Sequence, residues 1–413
     1  MSILFDQAAE VYFEYGTSSG SYTKETAKYS VVKDIPLEAD FTELTGDTKY
    51  YYRTRYKAGG TTFLTGAEHT FHTPRSSGST FTFAIEADPH LDYNSDTAAY
   101  SLTLKNILSN NPDFLLDLGD TFMSEKQAQK TQAVITDRHL LYRSYFGKVC
   151  HSAPLYLALG NHEGEFGWGL DGTANNLAVM AANTRKLYYP NPLPDLFYSG
   201  NSRSEDFVGL RGDYYAFEWG NALFIVLDPY WYTVSKSGWG CTLGADQHEW
   251  FEHTITSSTA KYKFIFCHNL VGGNGTDSRG GAEFADLYEM GGSNLDGSWG
   301  FDTNRPGWSK PIHTLMKENN ATVFFHGHDH FFGKQDKDGI VYQEVPQPSN
   351  KNITNISAAQ YGYVEGVLLP GRGYIQVTVS PLSVKVEYIG TYLPTEENAT
   401  HKNGDVIYSY IVN

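Results

Sequence analysis

Leu155-Tyr156-Leu157-Ala158-Leu159-Gly160-Asn161-His162-Glu163 is the stretch that decides the fold. Five apolar residues in a row have the length and composition of a core strand, and the run ends at a glycine followed by three polar side chains. Four more stretches share this build. Phe81-Thr82-Phe83-Ala84-Ile85 runs toward Asp88-Pro89-His90, and Phe114-Leu115-Leu116-Asp117-Leu118 runs into Gly119-Asp120. Tyr262-Lys263-Phe264-Ile265-Phe266 leads into Cys267-His268, and Thr322-Val323-Phe324-Phe325 leads toward Gly327-His328-Asp329-His330. In open α/β sheets the ligand crevice lies at the carboxyl ends of the strands, so residues far apart in sequence converge there. One such cluster means little; five at five strand ends are hard to obtain by chance.

Working outward, strands alternate with helical patterns. Helices are predicted over 97–108, 125–146 and about 244–255, with another ending near Lys317. Further strands fall at 215–218 and 222–227, and the chain ends in β structure at 374–379, 384–388 and 406–411. Early βα units followed by late antiparallel strands give an α/β class with a mixed-sheet core flanked by helices. Before this core, the alternation in Glu10-Val11-Tyr12-Phe13-Glu14-Tyr15 and the runs 49–56 and 69–73 read as a small β-sandwich. It looks one strand short at its N-terminus. The polar run Pro74-Arg75-Ser76-Ser77-Gly78-Ser79 is the natural boundary, dividing the chain into 1–78 and 79–413. Two long stretches, 164–212 and 272–307, read as loops, and loops of that size usually carry function.

Composition narrows the functional classes. Hydrophobic residues make up 40% and charged residues 19% of the 413, which excludes a mostly disordered, collagen-like or coiled-coil chain. The formal net charge of -16 repels a nucleic-acid backbone and an anionic membrane, so no nucleic-acid duplex is expected as a partner. No apolar run approaches the roughly 20 residues of a transmembrane segment. A composition leaning on Tyr, Gly, Asn, Ser and Thr suits a secreted or periplasmic protein whose signal peptide is absent from this chain, with a cytoplasmic location left open. Cys150, Cys241 and Cys267 are too few for a four-thiolate zinc module. In an exported protein Cys150 and Cys241 are the pair that would bridge, and their spacing does not decide it.

Sorted by donor atom, the five clusters offer two aspartates, one asparagine and four or five imidazoles. That exceeds what one tetrahedral zinc needs and suffices for two ions. Asp120 is the carboxylate expected to bridge them at the short spacing of two-metal hydrolysis.

The ordered set Asp88/His90, Gly119/Asp120, Gly160/Asn161/His162/Glu163, His268 and Gly327/His328/His330 resembles the signature of the calcineurin-like metallophosphoesterases. The likeness is nearest to the purple acid phosphatases and their bacterial relatives, and covers about residues 80–413. It implies a four-layer α/β/β/α sandwich, preceded by a fibronectin type III-like domain. It further implies that Asp88, His90, Asp120 and His330 hold one metal, and that Asp120, Asn161, His268 and His328 hold the other. His162 would face the scissile ester as proton donor to the leaving oxygen or as a phosphate contact. Purple acid phosphatases carry a tyrosinate three residues beyond the bridging aspartate; Met123 stands there in this chain, so a colourless or weakly coloured protein is expected. The donors suit two divalent or mixed-valence ions of manganese, zinc or iron.

The expected activity is hydrolysis of small phosphate esters by water activated on the metal pair, with monoesters favoured and phosphodiesters or nucleotides as the nearest alternative. A surface or carbohydrate-binding protein with a degenerate catalytic core is the non-enzyme alternative; it loses because no ligand position of the set is missing. Arg279 and Arg305, in the second long loop, are candidates to clamp a phosphoryl oxygen. Aromatic residues of the two loops, Trp168, Tyr188, Tyr189, Phe197, Tyr198, Tyr288 and Trp299, are expected to wall the crevice. Glu163 is read as orienting a ligand, Asp329 as pointing away from the histidines, and Cys267 as inert core.

Overall fold

The computed structural model describes all 413 residues. Two sheets lie face to face. The first has six strands in the order Leu155–Leu157, Phe114–Asp117, Phe81–Glu86, Gly373–Val379, Val384–Gly390, Val406–Val412; its first three strands are parallel and the last three antiparallel. The second has eight, with Ala222–Val226, Tyr262–Phe266, Val323–His326 and Ile340–Glu344 as its parallel centre. The near-continuous apolar runs read from the sequence are explained by this centre, since its strands are buried on both faces. Between the sheets sits a 29-residue core dominated by phenylalanines. Phe83 stacks on Phe114 at 5.2 Å and meets Phe224 edge-on at 5.1 Å, the geometries aromatic rings prefer.

Helices cover both outer faces. Thr97–Ser109 and Gln132–Phe146 bring Tyr100, Leu104, Tyr142 and Phe146 onto one sheet, while Ala245–Ser257 and Ile312–Glu318 bring Phe251, Ile255 and Leu315 onto the other. The order is helix, sheet, sheet, helix. Asp96 caps the first helix, its carboxylate accepting from the amides of Ala98 and Ala99 at 2.9 Å. No helix is long and apolar enough to cross a membrane.

Two expectations need correction here. The helix placed at 125–146 begins at Gln132, capped by Thr131, because residues Ser124–Lys126 form a separate turn that aims Glu125 elsewhere. The stretch 164–212 is not all loop: Leu177–Tyr188 is a helix capped by Asn176, hidden in the sequence by Asn-rich and Pro-rich flanks.

The first 72 residues hold β-strands only. Ala9–Gly16, Lys49–Lys57 and Leu64–His72 form an antiparallel sheet with the short strands Lys24–Glu25 and Tyr29–Val31, and Ser2–Ile3 pairs with Leu37–Glu38. Phe13, Tyr15, Tyr50 and Tyr52 are its core.

Candidate metal centre

All five polar clusters meet at one edge of the sandwich. Asp88, His90, Asp120, His328 and His330 adopt left-handed backbone with φ of 59°, 50°, 55°, 78° and 68°, a conformation that costs roughly 1 kcal/mol or more for a non-glycine residue and concentrates at functional sites. The loops are held by dense backbone bonding. Glu163 accepts from the amides of Asp120 at 2.9 Å, Thr121 at 2.6 Å, Phe122 at 3.1 Å and also Gly160, so its carboxylate ties two metal loops together. Gly119 and Gly160 cross in contact: a Cβ on Gly119 would overlap the Gly160 nitrogen, and one on Gly160 would overlap the Asp120 nitrogen and carboxylate.

The donors form two groups, Asp88 with His90 and His330, and Asp120 with His268 and His328; within each, one ligand atom per residue lies within 4.8 Å of the others. Asp120 Oδ2 stands 3.7 Å from His90 Nε2 and 3.3 Å from His268 Nε2, so a single oxygen addresses both groups. His268 Nδ1 meets the Leu118 carbonyl at 2.9 Å, which turns Nε2 inward. Asp88 Oδ1, His90 Nε2 and Asn161 Oδ1 are buried without any hydrogen-bond partner. Buried polar atoms are rarely left so, and here the orphans are hard oxygen and imidazole donors converging on one space. They fit a pair of ions.

A family model for calcineurin-like phosphoesterases matches residues 81–332, more than half of the chain. The chain belongs to this family. Its fold superposes on a structure of PhoD with a TM-score of 0.64 at 19% identity, over 99% of this chain and 84% of that one. A purple acid phosphatase, PPD1 from yellow lupin (Lupinus luteus) seeds, gives a TM-score of 0.61 at 13% identity, over 98% and 69%. At such identities the likeness concerns the fold. No curated protein matches the chain. As a calcineurin-like phosphoesterase it is a metal-dependent hydrolase of phosphoric esters, with the donor groups of a binuclear divalent centre.

Electrostatics within this phosphoesterase centre follow from two buried carboxylates. Burial opposes ionisation of Asp88, and the charges of His268 and His330 overcome it, holding the carboxyl well below the usual range. Asp120 behaves likewise through His268 and His162. In return, burial of His268 is outweighed by Asp120 and Asp88, which lift its pKa to about 9. His90 is also raised, against its burial, by contacts with Asp120, Asp88 and Asp92. Protons on imidazoles balance the anionic centre when no cation does.

His162 lies at the edge of this centre. Its Nδ1 is 3.0 Å from Glu125 Oε2, its Nε2 is 3.1 Å from Asn161 Nδ2 and 3.9 Å from Asp120 Oδ2. The contact with His162, helped by the charges of Lys126 and Lys236, holds Glu125 at about 2. Glu125 escaped the sequence reading, where it looked like an ordinary first helical residue. A cavity of about 110 Å³ opens above Asn161, His162 and His328.

Arg279 lines this cavity. Its Nη1 donates to the His328 carbonyl and to Asp329 Oδ1, both at 2.8 Å, and its plane lies 4.3 Å from the Tyr361 ring. Asp329 does turn away from the histidines, and it serves to fix Arg279. Arg305 is a correction. Its Nε pairs with buried Glu289 and its Nη2 donates to the Trp239 and Cys241 carbonyls, so the guanidinium staples a loop and does not line the cavity.

The aromatic wall also needs correction. Of the residues expected, only Trp168 lines the cavity, joined by Tyr230, which the sequence reading missed. Tyr188 and Tyr189 lie in the helix-side core, Phe197 and Tyr198 pack on Phe217, Tyr288 meets Trp239 edge-on, and Trp299 is exposed. All three cysteines are free; Cys241 is buried beneath the eight-stranded sheet, and Cys150 packs against the helix side of the other.

Proposed function

We propose that the protein hydrolyses small phosphomonoesters at a binuclear centre, and the observation that carries this is the pair of facing donor groups with their orphaned atoms. Asp88, His90, Asp120 and His330 would hold one ion, and Asp120, Asn161, His268 and His328 the other, with Asp120 common to both. Ions of manganese, zinc or iron bound there supply Lewis acidity and an acidified water.

The chain's own residues do the rest. Glu125 anchors His162 Nδ1, and Nε2, which here faces the Asn161 amide beside the cavity, is the atom that would protonate a departing alkoxide. Arg279, immobilised by Asp329 and Tyr361, offers its remaining N–H groups to a phosphoryl oxygen. The only tyrosine in the cavity wall, Tyr230, donates its hydroxyl to Asn269, and burial with the nearby Asp120 pushes its pKa well up. The loaded protein should therefore lack a tyrosinate absorption band.

Residues 1–78 are read as a fibronectin type III-like module and 79–413 as the catalytic domain, supported by the β-only content of the first part and by fold likeness that extends across both. The likeness to PhoD and the lupin phosphatase, with the composition, supports a secreted or periplasmic location.

The test is a metal-reconstituted panel of an aryl monoester, its bis-aryl diester, mononucleotides, cyclic nucleotides and oligonucleotides. The expected order places monoesters highest in kcat/KM. A diester or oligonucleotide at or above every monoester would overturn the proposed substrate class.

A further inference from the structure

Beside Arg279, the same cavity is lined by two cations to which the proposed hydrolysis gives no direct task. In a chain of net charge -16, Lys126, Lys236 and Arg279 all line this one small space. Arg279 is tied to Asp329, but the lysines are nearly free. Lys236 makes no side-chain hydrogen bond or ion pair, and its ammonium stands 5.8 Å from the Trp168 ring. Lys126 is half exposed, and its nearest carboxylate is Glu125 at 3.6 Å, already engaged by His162. Trp168 is itself stacked on Phe166 at 4.2 Å and 6°.

Size gives these charges a meaning. About 110 Å³ is far below the roughly 300–1,000 Å³ of a site that swallows a drug-sized ligand. It accommodates a phosphoryl group with a small part of its ester, so a larger organic part extends to the mouth. There it meets the ammonium groups of Lys236, which has no ion pair, and Lys126, whose one carboxylate neighbour is Glu125, in a chain of negative net charge.

We propose that Lys126 and Lys236 form a second-anion subsite, which makes the preferred substrates phosphate esters whose organic part carries a further anionic group. This rests on the hydrolase reading above and adds the substrate class. Neutralising Glu125 is the competing task for the lysines, and it acts through His162 on every substrate alike. A second-anion subsite acts on KM, and only for esters that bear the extra charge.

The experiment compares three aryl phosphates, one plain, one with a ring carboxylate and one with a ring phosphonate, on the metal-loaded wild type, K126Q/K236Q and K126R/K236R. Binding of the matching non-hydrolysable aryl phosphonates is measured in parallel by calorimetry. K126Q/K236Q should lose about tenfold in kcat/KM on the charged esters, through KM, and no more than about twofold on the plain one. The arginine pair should restore the preference, and added salt should erode it in wild type. The charged phosphonates should lose affinity in step. A larger effect of the ring phosphonate than of the carboxylate would mark a phosphate as the natural second group, and equal effects a carboxylate. Equal losses on all three esters, or wild-type hydrolysis with no preference for added charge, would overturn the subsite alone. No hydrolysis of any ester by the loaded wild type would overturn the hydrolase reading itself.

Discussion

Glu125 sits outside the donor set, yet it decides what His162 can do. A carboxylate at Nδ1 fixes the orientation of the ring, and so the place from which Nε2 can act. His162→Ala should therefore cost about 10²-fold or more in kcat/KM on an alkyl phosphate and much less on an activated aryl phosphate, whose leaving group needs no proton. Equal losses on both would remove His162 from the donor role. The donors themselves predict a pH effect. His268 keeps a proton up to about pH 9 in the ion-free protein, and that proton must leave before Nε2 can bind an ion. Apparent metal affinity should thus fall as pH drops, by about tenfold per unit for each proton displaced. Calorimetric titration with zinc at pH 6 and 7.5, in buffers of different ionisation enthalpy, reads both the affinity and the proton count; a flat profile would contradict the charge balance described here.

At the scale of elements, the strand ends were legible because five apolar runs each stop at or near a cluster carrying Asp, Asn or His donors, a recurrence that turn chemistry alone does not demand. The same logic predicts fragility where two such ends touch. Gly160→Ala places a methyl against the Asp120 nitrogen and carboxylate, so it should destabilise by about 2 kcal/mol or more and lower bound metal per chain. Gly46→Ala, whose added Cβ meets nothing, is the control. Differential scanning calorimetry with metal analysis would separate them, and equal behaviour would show that the loops yield freely. Other elements were hidden for physical reasons. Leu177–Tyr188 mixes small, polar and apolar residues between Asn-rich and Pro-rich flanks, so no clear periodicity marks it. The hairpin of Phe332–Lys337 and Ile340–Glu344 did carry a signal, the Asp338-Gly339 turn between strand-like runs, and it went unread. Lys126, Lys236 and Tyr230 have no sequence signature at all; only the folding of separate loops over one cavity gives them a common role.

For the whole molecule, the division proposed near residue 78 rests on composition, and the contact across it has no signature in the sequence. Tyr52 donates to the His151 carbonyl at 2.6 Å, Arg143 reaches Ser2 Oγ at 3.3 Å, and Tyr188 donates to the Asp34 carbonyl at 3.1 Å. Between these bonds lies an apolar crevice of about 960 Å³, lined by Ile3, Phe41 and Phe71 on one side and Leu140, Phe146 and Tyr188 on the other. Surface that already faces a void gains less from docking than close-packed surface does. The N-terminal strands therefore hold on mainly by polar contacts, each worth about 1 kcal/mol. A chain beginning at Ser79 should lose on the order of 3 kcal/mol, which for a protein of this size lowers Tm by about 5 °C. Its metal content should stay the same, because no donor comes from residues 1–78. Calorimetry and metal analysis on the shortened chain check both statements. If Tm holds and the order of preferred esters changes, the N-terminal strands act in substrate recognition and the structural role assigned to them is wrong.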